Sequence, residues 1–316
     1  MTTVSFPILR LPQSIFQKTL KQMSLVEHIS LSVLSKKIKQ LIAMLNRCQL
    51  ASIIIMRPSI LIKLNTTLFH GFQLTLNSKQ SIVEILQCIS GRYQLKKLNV
   101  QAFSDIKWLE HIFEVFIQNQ RVSVEFFDSS FHFFEIAKKH IKELKVVSLG
   151  IISCYDIKYC QLSQIFPCLE NLIVLNGPIS KPTLTQNFKK LQLTYGKMTL
   201  DDLFFSNCSE FIVTCDSFSI KDLNILVRQW IRGAIPSLKS ITIRFRNITE
   251  NRFDECALFK EIEYTRKEEV QSVKRFTIER HDGTIANVLL YSTTRFYFTL
   301  VVGEYEWIGH FASIWM

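Results

Sequence analysis

Apolar residues follow a helical period at the start of the chain and an alternating period later, and the change of rhythm divides the sequence. Leu11-Pro12 opens a first helix, since proline suits a first helical turn, where its missing N–H would have gone unpaired in any case. After it Ile15, Phe16, Leu20 and Met23 fall on one face. Ser24 and Glu27 stand three apart, the spacing at which serine and glutamate satisfy each other's free backbone donors and restart a helix. This second helix carries Leu25, Ile29 and Val33. A third is predicted from Ile38, Leu41, Ile42 and Leu45, which obey the i, i+3, i+4, i+7 rule. Three helices this short bury little by themselves and must lean on the rest of the chain or on a partner.

From about residue 60 the pattern becomes strand-like. Residues 95–101, 144–150, 169–177, 188–196 and 238–245 each begin with an apolar residue and repeat apolar residues at offsets of three and five. Helical stripes lie between some of them. One is Ile106, Leu109, Phe113, Phe116 and Ile117. Another is Ile220, Leu223, Val227, Trp230 and Ile231, entered at Ser219 and closed by Gly233. Strand–helix units at such spacings predict an α/β chain with an irregular leucine-rich-repeat-like body over 60–250 and a parallel sheet; an irregular open α/β sheet is the alternative. Trp230 reads as core, and Asp201 and Asp202 as residues that favour the positive end of a helix rather than as a catalytic pair. Residues 251–316 read as a closing antiparallel meander. Two alternating runs flank Asp282-Gly283, a tight-hairpin signal, and a third run follows over 294–302. Trp307, Phe311 and Trp315 near the end are either a packed edge or a contact patch.

Composition narrows the function. Of the 316 residues 47% are hydrophobic, enough for a large core, yet no apolar run approaches the ~20 residues of a membrane-spanning helix. Pro7, Arg10 and Pro12 interrupt the stretch where a signal peptide would need continuity, so the chain is expected inside the cell, in cytoplasm or nucleus. Eight cysteines, at 48, 88, 154, 160, 168, 208, 215 and 256, show no two-residue gap of a zinc knuckle or redox motif. They are read as small core hydrophobes, and no metal or cofactor is expected. The net charge of +11 is spread in doublets such as Lys36-Lys37 and Lys189-Lys190. No alternation of basic and aromatic residues makes a platform for nucleic acid. Glycine-rich phosphate loops, a Gly-x-Ser-x-Gly elbow and His-Glu-x-x-His are all missing from the sequence, so an enzyme is not expected.

Two stretches resemble a known family. Residues 6–46, with Leu11-Pro12, the apolar residue three positions after Pro12 and the Leu34-Ser35-Lys36-Lys37 region, resemble an F-box. The run from Thr199 to Cys208, then Phe218 to Gly233, then the strand opening at Leu238-Lys239, resembles the type-2 F-box-associated domain of a large, nematode-expanded set of F-box proteins. The resemblance rests on Leu200-Asp201-Asp202-Leu203, Asp222-Leu223-Asn224, Trp230 and Gly233, in that order. It implies a non-enzymatic substrate-recognition adaptor of a cullin–RING ubiquitin ligase. Leu11, Pro12, Ile15, Leu20, Leu31, Ser35 and Ile38 would dock the Skp-type adaptor, and the body would hold an unknown target protein. Many F-boxes place tryptophan where this chain has Ile38. The alternative reading is a stand-alone repeat-fold protein-interaction module with a non-functional F-box.

Overall fold

The computed structural model describes residues 11–45, 50–56, 59–67, 70–77, 82–89, 92–99, 105–117, 120–127, 141, 144–153, 162–176, 179, 181–194, 198–214, 217–245, 253–270, 272–292 and 295–303. The chain forms two compact units, residues 1–147 and 148–316.

The first unit opens with three helices, α1 (Gln13–Gln22), α2 (Leu25–Ser32) and α3 (Lys36–Leu45). The Ser24–Glu27 capping box is formed: the Ser24 hydroxyl accepts from the Glu27 N–H, and the Glu27 carboxylate accepts from the Ser24 N–H at 2.7 Å. Phe16, Leu20, Val26, Ile29, Ile38 and Ile42 make the small core between them. Strands β1 (Leu50–Met56), β2 (Ser59–Thr67), β3 (His70–Asn77), β4 (Ile82–Ile89) and β5 (Arg92–Asn99) follow as an antiparallel meander. Helix α4 (Asp105–Ile112) then runs into a wider π turn over Phe113–Ile117, and β6 (Arg121–Phe127) returns parallel to β1.

The meander corrects one expectation. Residues 95–101 were expected to open a parallel strand–helix array, but they fall in or just after β5, which pairs antiparallel with β4. The reason is the length of the connections: two to four residues separate each strand from the next across β1–β5. Parallel strands need a crossover of a dozen or more residues, and this stretch has none to give.

The second unit contains the parallel array. Strands β7 (Lys145–Ile152), β8 (Asn171–Leu175), β9 (Lys190–Thr194), β10 (Glu210–Thr214) and β11 (Ser240–Phe245) lie side by side in chain order and all parallel. Between successive strands come the helical turns α5 (Leu162–Ile165), α6 (Lys181–Leu184) and α7 (Leu200–Phe205), and then the longer helix α8 (Ile220–Ile231). Four of the five segments expected as strands fall on β7, β8, β9 and β11. Strand β10 carries the same offsets, Cys208 three before Phe211 and five before Val213, but its leading place holds a cysteine where the other segments have leucine or phenylalanine.

The crossovers are set locally. Thr199 with Asp202, and Ser219 with Asp222, form the same reciprocal capping box as Ser24 with Glu27, so α7 and α8 each start where a hydroxyl and a carboxylate close the first turn. Gly233, with φ of 78°, ends the α8 region in the left-handed conformation that glycine tolerates without strain. Trp230 is completely buried, as expected of its stripe.

After α9 (Glu255–Leu258), strands β12 (Thr265–Arg266), β13 (Val273–Glu279), β14 (Ile285–Ser292) and β15 (Phe296–Val302) form the antiparallel end of this sheet, with β15 paired to β11. The hairpin expected at Asp282-Gly283 joins β13 to β14. Gly283 has φ of 81°, and the Asp282 carboxylate accepts from the Thr284 N–H and from the Arg280 guanidinium. Those donors, Arg280 first, hold the Asp282 carboxyl well below the usual range. Trp307, Phe311 and Trp315 lie outside the described residues.

Two cysteine positions also differ from expectation. Cys208 is buried, and desolvation pushes its thiol up to about 12, the state of an inert core cysteine. Cys168 and Cys256 are exposed. Cys154 and Cys160 lie outside the described residues. Among those described, no group of His, Cys, Asp and Glu is placed to hold a metal ion, and no described helix is long and apolar enough to cross a membrane.

Candidate functional site

The N-terminal helices divide the seven residues expected at a docking face into two sets. Leu11 (38% exposed), Ile15 (49%) and Pro12 stand out in solvent, with Leu31 and Ser35 partly exposed. Leu20 and Ile38 do not: at 0% and 2% exposure they are the centre of the helical core. The division has a simple geometric cause. Leu20 lies one turn beyond Phe16, and the stripe Phe16–Leu20 faces α2 and α3. Ile15 sits 100° away around the same helix and faces out. The absence of tryptophan at position 38 therefore concerns the core of the cluster and not its outer face.

Two further exposed apolar residues stand among the helices, Leu34, which opens the Leu34-Lys37 region of the F-box resemblance, and Met44, which the sequence reading did not single out. Leu34 is 73% exposed in the turn between α2 and α3, and Met44 is 81% exposed near the end of α3. Leu34 follows the last turn of α2, so no helical stripe flags it. Met44 sits off the Ile38–Ile42 stripe. Leu11, Ile15, Leu34 and Met44 are thus apolar side chains that the helices do not use for their own packing. Five lysines (18, 21, 36, 37 and 39) and one glutamate (27) lie between residues 13 and 45, so the charge around these apolar points is positive.

The helices are tied to α4 by a buried polar joint. The Ser32 hydroxyl donates to the Ile29 carbonyl at 2.8 Å, and His111 Nε2 lies 2.7 Å from the same oxygen. Both residues are buried, at 3% and 5% exposure. Burial first, and the nearby Lys39 charge second, lower the His111 pKa to about 4, against the opposing pull of Glu114. The imidazole is therefore neutral at pH 7. Lys39 and Glu114 form an ion pair across the same joint, and the Trp108 ring meets His111 edge-on, with centroids 6.0 Å apart. An open cavity of about 290 Å³ lined by Ser32, Leu34, Lys36, Lys39 and His111 sits beside it.

In the second unit the strands expected to recognise a partner present alternating faces. Leu172 and Val174, Leu191 and Leu193, Phe211 and Val213, Ile241 and Ile243 are buried, in register across β8–β11. The residues between them on β8, β9 and the start of β10 remain partly exposed. No catalytic constellation accompanies either surface among the described residues. Asp201 and Asp202 occupy the first turn of α7, where Asp202 serves its cap.

Comparison with known proteins agrees with both regions. Residues 8–50 match the F-box domain family, and residues 180–243 match the family described as F-box associated. The second match runs from α6 to β11. The F-box associated domain-containing protein sdz-33 of Caenorhabditis elegans is 33% identical over 304 residues, covering 96% of this chain and 99% of that protein. No solved structure matches. With likeness along nearly its whole length, an F-box where the helices are and an F-box associated domain where the parallel strands are, the chain belongs to the F-box proteins that carry an F-box associated domain.

Proposed function

We propose that this protein is a substrate-recognition adaptor of a cullin–RING ubiquitin ligase. Residues 6–46 dock a Skp-type adaptor, and a leucine-rich-repeat-like body within 60–250, closed by 251–316, holds the protein to be ubiquitinated, in the cytoplasm or nucleus. The observation that carries this reading is the set of apolar side chains left exposed on an F-box: Leu11, Ile15 and Leu34, with Pro12 beside them. Exposing large aliphatic groups on a domain of three short helices costs solvation free energy that a partner would recover. The five lysines around them favour an acidic partner surface and speed its approach.

The mechanism is proximity. The protein supplies no reacting group; it raises the local concentration of a target lysine near a charged conjugating enzyme. The consecutive parallel strands β7–β11, each returned by a helical turn, support the repeat-like reading of the body.

The test is a pull-down of the full chain with a Skp-type adaptor, wild type against Leu11→Ala/Pro12→Ala and against Ile15→Ala/Leu34→Ala. Each of the truncated apolar residues is exposed, so the variants fold. Binding that falls at least tenfold in either pair supports the docking face. Absence of binding by the wild type overturns the ligase role and leaves a stand-alone protein-interaction module with a non-functional F-box.

A further inference from the structure

A strand at the end of a sheet presents a row of backbone groups with no neighbour to meet them, and proteins blunt such edges by shortness, proline or bulges. The second unit follows that rule, since its edge strand β12 has only two residues. The first unit does not. Its edge strand β5, Arg92–Asn99, runs for eight residues and holds no proline. It pairs with β4 along its whole length without a shift of register. Among the described residues no strand lies on its other side.

Register decides which backbone groups are left over. Ile89 and Arg92 face each other across a two-residue connection, and so short a loop closes on a hydrogen-bonded pair. From there the antiparallel alternation turns the N–H and C=O of Arg92, Gln94, Lys96 and Leu98 toward β4. Those of Tyr93, Leu95, Lys97 and Asn99 point the other way. Among the described residues nothing hydrogen-bonds to the outward groups of Leu95 or Lys97.

The side chains beside this edge indicate what would complete it. Lys63 shares the row of Leu95 through Gln73 and Leu86, and it is exposed, whereas Ile62 on the other face is buried. Leu95 and Lys97 therefore stand on the solvent face of the meander, and Leu95 is 55% exposed. Lys97 reaches back to Glu84 at 2.7 Å, but both groups are open to water and such a pair holds weakly. Along β5 the charges are Arg92, Lys96 and Lys97, with no acidic residue. They oppose pairing with a second copy, because antiparallel β5 against β5 would set three cations against three. Guarding the edge explains the lysines but leaves the exposed Leu95 without a use, and the same cations favour an acidic strand.

We propose that β5 is a site of strand addition that takes an extended acidic segment of a partner protein. The segment hydrogen-bonds to the outward groups of Tyr93, Leu95, Lys97 and Asn99, and places an aliphatic residue opposite Leu95 and a carboxylate opposite Lys97. Backbone bonds supply the affinity, and the two side-chain pairs supply the choice of partner. The site does not depend on the adaptor function proposed above, which uses the N-terminal helices.

The experiment selects a displayed library of random dodecapeptides on the full chain and resynthesises the retained peptides. These are expected to carry an aliphatic residue and an Asp or Glu two positions apart. On binding, hydrogen exchange should slow about tenfold at the Leu95 and Lys97 amides and far less at Gln94 and Lys96, which β4 already protects. N-methylation of alternate peptide residues should cost about tenfold in one phase and little in the other, because only one phase turns its N–H to the edge. Leu95→Lys should weaken the peptides about fivefold. Lys97→Gln should remove the advantage of the acidic peptide over its Asn or Gln version. Both positions are exposed, so both variants fold. No retained peptide, peptides without acidic residues or indifferent to both variants, or binding that leaves the Leu95 and Lys97 amides unprotected would overturn the proposal. Protection of the same amides at high chain concentration without peptide would put a second copy on the edge and overturn it too. Adaptor binding is expected to be unchanged in both variants, so failure at β5 leaves the ligase reading standing.

Discussion

The N-terminal helices and the parallel strands of β7–β11 are built in two different ways, and they differ in how their surfaces are supported. The helices bury six apolar side chains among themselves and depend on a polar joint, Ser32 to His111 and Lys39 to Glu114, to hold them on α4. The strands are braced on both sides by neighbours in register and from behind by α8, whose Trp230, Leu223 and Val227 are wholly buried. A short helical cluster can present large apolar groups cheaply because its turns project side chains away from the core. A sheet can do so only by breaking the alternation of its outer face.

If the strands owe their stability to that backing, Trp230→Ala should be the most damaging single change. It removes a fully buried indole from the centre of α8 and should cost about 3–5 kcal/mol. Urea unfolding followed by signals from the second unit would register it, while the N-terminal helices should keep their protection against hydrogen exchange. Loss of both together would mean that the two regions fold as one.

Acid should strike the helices instead. His111 titrates at about 4 when folded and at about 6.5 when unfolded. The unfolded state therefore binds more protons between those values, and stability falls as pH falls. The contribution is complete above about pH 6.5 and lost progressively towards pH 4, to a total of about 3 kcal/mol. Hydrogen exchange of α2 and α3 amides at pH 7 and pH 4.5 would detect it. His111→Asn, which cannot titrate, should flatten this dependence; a variant with the wild-type slope would remove the joint from the account.

Position 38 offers a sharper contrast. Because Ile38 is 2% exposed, Ile38→Trp should overpack the helical core and cost about 1–3 kcal/mol without improving adaptor binding. A variant that binds the adaptor more tightly at undiminished melting temperature would place residue 38 on the docking face after all. Smaller again is the cap of α8. Ser219→Ala should cost about 1 kcal/mol, read as a modest shift of the urea midpoint, and Ser24→Ala should cost the N-terminal helices a similar amount.

Much of the helical cluster was legible in the sequence because its signals are local. Pro12, the Ser24–Glu27 box and the Ile38–Ile42 stripe act within one or two turns, and the same holds for Ser219 with Asp222 and for Asp282-Gly283. The docking residues were less legible. Ile15 and Leu20 belong to one apolar pattern, and a stripe says that a face exists without saying which of its margins is left outside. Leu34 and Met44 lie off the stripes; Leu34 was marked only by the F-box resemblance, and Met44 gave no signal. In the body, an offset of three and five apolar positions marked residues 95–101 and 188–196 alike, yet one segment lies in an antiparallel meander and the other in a parallel ladder.

The sequence by itself determined where helices start, which residues close turns and which chain segments run as strands, because capping, glycine conformation and apolar periodicity act over a few residues. It also contained the two motifs by which the family is known. Tertiary structure decided the rest: which strands pair and in what direction, that Leu20 and Ile38 are core while Leu11 and Ile15 face out, and that His111 is neutral against Ser32. Each of these depends on contacts between residues far apart in the chain, and burial is a property of the whole packing.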